Sequence, residues 1–168
     1  MGGTVQNPMG RWRLAASLLI VLISTSQLTA LGRMIKRDRS GDPLYSGVIG
    51  KEYKTKVDLV IFRTGDTKVI YLEEFGDQFM PKREEIRDRF PYKHKPYGRI
   101  ILGILPADSV FKVARVQERG HSSATFIHYH AQLLSSENKE FIGKEIDPTY
   151  LTLGDPPHFE EKLVEEVK

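Results

Sequence analysis

Between residues 54 and 153 the chain is cut into short apolar runs by turn signals that recur about every ten residues, the spacing of an all-β sandwich or small barrel. Residues 54–63 begin with alternation, Thr55, Val57 and Leu59 on one face against Lys54, Lys56 and Asp58 on the other, and end in a continuous apolar run. The alternating part predicts a strand with one solvated face, and the continuous part predicts burial on both. A turn at Thr64-Gly65-Asp66 leads to a shorter strand over 68–73. Three further strands follow: 99–105, apolar and therefore central; 110–116; and 123–134, the longest, rich in aromatic and β-branched residues. One or two short strands are expected around Phe141-Ile142 and 150–152.

Residues 75–98 break this rhythm. Pro81 suits the first position of a short helix over 81–90, with Ile86 and Phe90 four apart to pack it down, and 91–98 then reads as a loop. Near the C-terminus Phe159, Leu163 and Val167 recur every four residues, the pattern of a weakly amphipathic helix or a frayed end.

The N-terminal region is of another kind. Residues 14–31 contain no charged side chain, with Arg11 and Arg13 before them and Arg33, Lys36, Arg37 and Arg39 after them. The dense apolar stretch at 14–23 fits the core of a secretory signal peptide. A spanning helix needs about 20 mostly apolar residues, and the half-polar stretch 24–31 makes this one short, so a cleaved signal and a retained anchor both fit. The expected organisation is a signal peptide or membrane-anchoring hydrophobic helix at 1–32 and a linker at 33–50. A β domain follows at 51–154 with an insertion at 75–98, and then an acidic C-terminal tail at 155–168. The expected address is the cell envelope, with the domain extracytoplasmic.

Charge bookkeeping separates these parts. Residues 1–40 hold six Lys/Arg and one Asp, a balance of +5, whereas residues 41–168 hold nineteen Lys/Arg and twenty-one Asp/Glu, a balance of −2. The globular part is therefore not a basic, nucleic-acid-seeking domain, and the positive excess sits beside the apolar run, where anionic headgroups attract it. The chain has no cysteine, which removes disulfides, thiol nucleophiles and zinc–thiolate sites together.

Three segments resemble bacterial SH3-like (SH3b) domains. Residues 57–65, Val-Asp-Leu-Val-Ile-Phe-Arg-Thr-Gly, resemble the opening strand of that family; 100–113 are similar to its strand–turn–strand core; 143–151 resemble its closing segment. Asp108 stands where the family has a turn glycine, and Glu145-Ile146 where it has Gly-Trp. The resemblance implies a mainly β fold, a small SH3-like barrel with one short helical insertion, and binding of peptidoglycan or another envelope component.

Two groups of residues carry the chemistry. Residues 81–99 hold seven Lys/Arg against three Asp/Glu, interleaved with aromatic rings. Arg89, Tyr92, His94 and Tyr97 are the candidate ligand-binding residues there, since cations and rings together contact glycans, anions or a protein partner. His128 and His130, two apart on a strand, face the same way and are the candidate metal ligands. No residue is singled out as catalytic and no cofactor is called for. The expected function is a non-enzymatic envelope module, held at the membrane by residues 14–31, that binds a wall component or a protein partner and not nucleic acid. The alternatives are a small metal-dependent enzyme built on His128 and His130, or an accessory subunit of a membrane complex.

Overall fold

Two antiparallel sheets share one core in the computed structural model, which describes residues 34–65, 67–86, 89–121, 124–154 and 157–168. The strands are β1 (Ile35–Asp38), β2 (Glu52–Thr55), β3 (Leu59–Thr64), β4 (Tyr71–Glu74), β5 (Tyr92–His94), β6 (Arg99–Leu105), β7 (Val110–His121), β8 (Ala124–Ser135), β9 (Glu145–Ile146), β10 (Thr152–Leu153), β11 (His158–Phe159) and β12 (Val164–Glu166). One helical turn, α1 (Arg83–Ile86), lies between β4 and β5. The first sheet runs β12-β2-β7-β8-β9, and the second runs β4-β3-β6-β5; β10 and β11 pair with each other.

The β7–β8 hairpin is the spine. Its twelve-residue strands are longer than the body needs. β2 pairs with the near end of β7 (Lys54 opposite Val110), while β1 pairs with the far end (Ile35 opposite Gly120), so the far half is a three-stranded ribbon. The register slips between Val113 and Arg115, leaving Ala114 without an opposite residue. This bulge resets which side chains face inward: Val113 and Val116 are both buried, and Arg115, Gln117 and Arg119 follow on the outer face beside His130, His128 and Phe126. The β6–β7 turn is made by Asp108 at φ 64, a left-handed conformation that Asp tolerates better than most side chains.

The sheets meet along one side through Asp147. Its N–H donates to Ile70 O at 2.7 Å, and its C=O accepts from Leu72 N–H at 3.2 Å. The edges at β12 and β5 are not paired to each other. The expected barrel is therefore not closed; mainly β is the part of the expectation that holds.

Leu59, Ile61, Leu72 and Leu105 of the second sheet meet Phe111, Val113, Val116, Tyr129, Ala131 and Leu133 of the first. A second cluster, Val60, Phe62, Tyr71, Met80, Ile86 and Ile101, covers the opposite face of the second sheet. The run Leu59–Phe62 is thus buried on both faces, as its continuity predicts. Gly103 keeps β6 open to Phe141, since a Cβ there would lie 3.1 Å from that ring.

Several expectations need correction. Residues 54–63 are not one strand: the chain turns after Thr55 and changes sheet before Leu59. Residues 33–50 are not a linker where described, because β1 joins the ribbon and Tyr45 enters the core. Residues 91–98 are not simply a loop, since Tyr92–His94 add an edge strand to β6. The helix expected over 81–90 is the single turn α1, and Lys139–Phe141 forms a 3-10 turn rather than a strand. Residues 155–168 are not a tail where described. β12 pairs with β2, and Phe159, Leu163 and Val164 are at most 7% exposed. Burying each such side chain contributes about 1.5–3 kcal/mol, so this segment closes the core. The apolar run 14–31 and its expected helix lie outside the described residues, among which no helix is long and apolar enough to cross a membrane.

Candidate binding face

The outer face of the second sheet carries a buried charge pair under aromatic rings. Glu73 of β4 and Arg99 of β6 flank β3, and their side chains reach across it. Arg99 donates through Nη1 to Glu73 Oε2. Both groups are nearly inaccessible, Arg99 at 6% and Glu73 at 1%, and buried charges persist only when paired. The guanidinium also lies over three rings, 4.5 Å from the centroid of Phe62, 5.5 Å from Tyr150 and 5.7 Å from Phe79. Burial pushes the Glu73 carboxyl up to about 7, against the opposing pull of Arg99.

Two tyrosines form the exposed rim. Tyr150, on the 3-10 turn Thr149–Leu151, is 45% exposed and packs 5.8 Å from Phe62 and 5.6 Å from Tyr71. Tyr97, at the end of the turn between β5 and β6, is 49% exposed. It stands edge-on to Phe79 at 4.9 Å, and the row continues from Tyr97 to His94 at 6.2 Å and from His94 to Tyr92 at 6.5 Å. Three of the four expected ligand-binding residues therefore fall in one row. Arg89 is exposed, its N–H bonded to Ile86 O at 3.1 Å, and it takes no part in the described ring contacts.

His128 and His130 do share a face, the outer side of the β7–β8 ribbon, and the protein itself supplies their partners. His128 Nδ1 lies 2.7 Å from Asp147 Oδ2. The other oxygen of this buried carboxylate accepts from Thr149 N–H and from its hydroxyl. His130 is 3% exposed. Its Nε2 lies 2.9 Å from Arg119 Nη2, and its Nδ1 lies 2.5 Å from Glu145 Oε1. Arginine only donates and an ionised carboxylate only accepts, so the two short contacts fit a lone pair on Nε2 and a proton on Nδ1, and Arg115 Nη2, 3.3 Å from Nδ1, then makes no hydrogen bond to the ring. Burial, with help from Arg115 and Arg119, holds this imidazole below its ordinary pKa, consistent with the neutral form. Among the described residues no group of three or more His, Asp or Glu is placed to hold a metal ion.

Glu73, Arg99, Phe79 and Tyr150 were not legible as site residues. An arginine opening an otherwise apolar strand is the one local signal that was available, and it acquires meaning only beside Glu73, 26 positions away. No family model, curated protein or solved structure matches the chain.

Proposed function

We propose that this protein is a non-enzymatic envelope module that binds a cell-wall glycan on the aromatic rim of its second sheet, while residues 14–31 hold it at the membrane. The observation that carries the reading is the pair of half-exposed rings, Tyr97 and Tyr150, joined beneath through Phe79 and Arg99. A sugar ring offers an apolar face that stacks on an exposed aromatic ring and hydroxyls that bond at its edge, and an aromatic ring supplies contact area at low entropic cost. The rim is preorganised because the rings below it are packed and Arg99 is pinned by Glu73. The SH3b resemblance points the same way, to peptidoglycan.

The neutral, doubly bonded His130 supports binding over catalysis: its lone pair is taken by Arg119 rather than offered to a substrate or a metal. Co-sedimentation of the full chain with purified peptidoglycan sacculi tests the proposal. Tyr97→Ala with Tyr150→Ala is expected to reduce the bound fraction at least tenfold, about 1.4 kcal/mol, while the thermal melt stays cooperative. Undiminished capture by that folded double variant overturns the glycan reading.

A further inference from the structure

We infer that the free end of the β1–β7–β8 ribbon is a membrane-contact surface that lies on anionic lipid headgroups and sets the orientation of the body. The inference rests on the reading that residues 14–31 enter a membrane, and it adds a second contact to that segment. Met34 and Phe126, at 67% and 65%, are the most exposed large hydrophobic side chains among the described residues, and both sit at this end.

The register explains why they cluster. Ile35 lies opposite Gly120, so the chain enters the ribbon at its outermost end. Lys36 lies opposite Arg119, and Arg119 opposite Phe126, so two cations and an exposed ring form one row across three strands. Arg37 and His121 are exposed in the adjoining positions. Over residues 35–39 and 117–121 four cations, Lys36, Arg37, Arg39 and Arg119, stand against Asp38 and Glu118, the latter paired with Arg39 at 2.7 Å, a balance of +2.

Distance makes the contact close to unavoidable for an anchored chain. Only Gly32 and Arg33 separate Leu31 from Met34, a span of about 11 Å when fully extended. The headgroup layer of one leaflet is about 5–8 Å thick. An apolar run that ends at the hydrocarbon boundary therefore delivers Met34 into or just above the headgroups. A basic row with an exposed phenyl ring suits that layer, where anionic lipid attracts the cations and the ring reaches the acyl boundary.

The test uses the full chain in phosphatidylcholine vesicles with and without phosphatidylglycerol. Because the chain has no cysteine, a single fluorophore can be placed through Thr125→Cys at the ribbon end or Lys139→Cys on the body, and quenched by headgroup nitroxide lipids. Strong quenching at position 125, weak quenching at 139, and loss of the difference in Lys36→Glu/Arg37→Glu/Phe126→Ser support the contact. Equal quenching at both sites overturns it while leaving the anchor intact. So does strong quenching at 125 that survives the triple variant, which shows tethering without docking. If the full chain fails to float with vesicles, the anchor reading fails and the contact fails with it.

Discussion

The two sheets each bury a polar network on an outer face, and they do it by opposite means. Glu73 and Arg99 sit among rings, where each charge has the other and Glu73 has in addition only the acidic Asp77 beside it. His130 sits between Arg119, which donates to it, and Glu145, which accepts from it, and burial favours its neutral form. A charge pair under rings gives a rigid floor for exposed aromatics but makes each member dependent on the other. A neutral imidazole shared among exposed groups tolerates the loss of one partner better.

Removing one member should expose the difference most clearly. Glu73→Ala leaves Arg99 buried and unpaired and should cost about 3–5 kcal/mol, seen as a lower midpoint in urea unfolding. The double variant Glu73→Leu/Arg99→Met should recover most of that loss, and a double variant as unstable as Glu73→Ala would show that the pair acts through packing alone. His130→Ala should cost less, about 1–3 kcal/mol, the penalty for stranding the hydrogen-bond partners of a buried group. A cost equal to that of Glu73→Ala would erase the contrast between the sheets.

A third contrast is a dependence of stability on pH that has opposite sign at the two sites. Glu73 has a folded pKa raised by burial to about 7, so its contribution is fully present below its ordinary range near 4.5 and is lost as pH rises through about 7. His130 has a folded pKa lowered by burial, so its contribution is present above its ordinary value of 6.5 and is lost as pH falls below it. In the native chain the two slopes oppose each other just below pH 6.5, where both groups titrate. Unfolding of His130→Gln across that window should show stability falling as pH rises. Glu73→Gln should show the reverse, and parallel slopes in the two variants would refute this assignment.

What was legible in the chain follows the range of the forces involved. The apolar 99–105 strand and the doubly buried Leu59–Phe62 announce themselves through local pattern. The shared face of His128 and His130 follows from a period of two alone. Ile35–Asp38 carries one apolar residue and reads as part of a polar linker; it becomes a strand because β7 extends far enough to pair with it. β12 reads as helix or tail because Val164-Glu165-Glu166 has no strand pattern of its own, and its form comes from the edge of β2. The site was half legible for the same reason. Tyr92, His94 and Tyr97 are neighbours in sequence, whereas Tyr150 reaches the same face only through the turn that follows Asp147.

The unpaired Ala114 has a meaning for heredity as well as for shape. Counted strictly in twos from Val113, the strand would carry Arg115, Gln117 and Arg119 toward the core and lift Val116 toward water; the one extra residue bulged out at Ala114 returns Arg115 to the outside and Val116 to the inside. A lost codon here is therefore absorbed: without Ala114 the count runs Val113 in, Arg115 out and Val116 in, and only the bulge disappears. The hairpin can give up this residue without trading its inside for its outside.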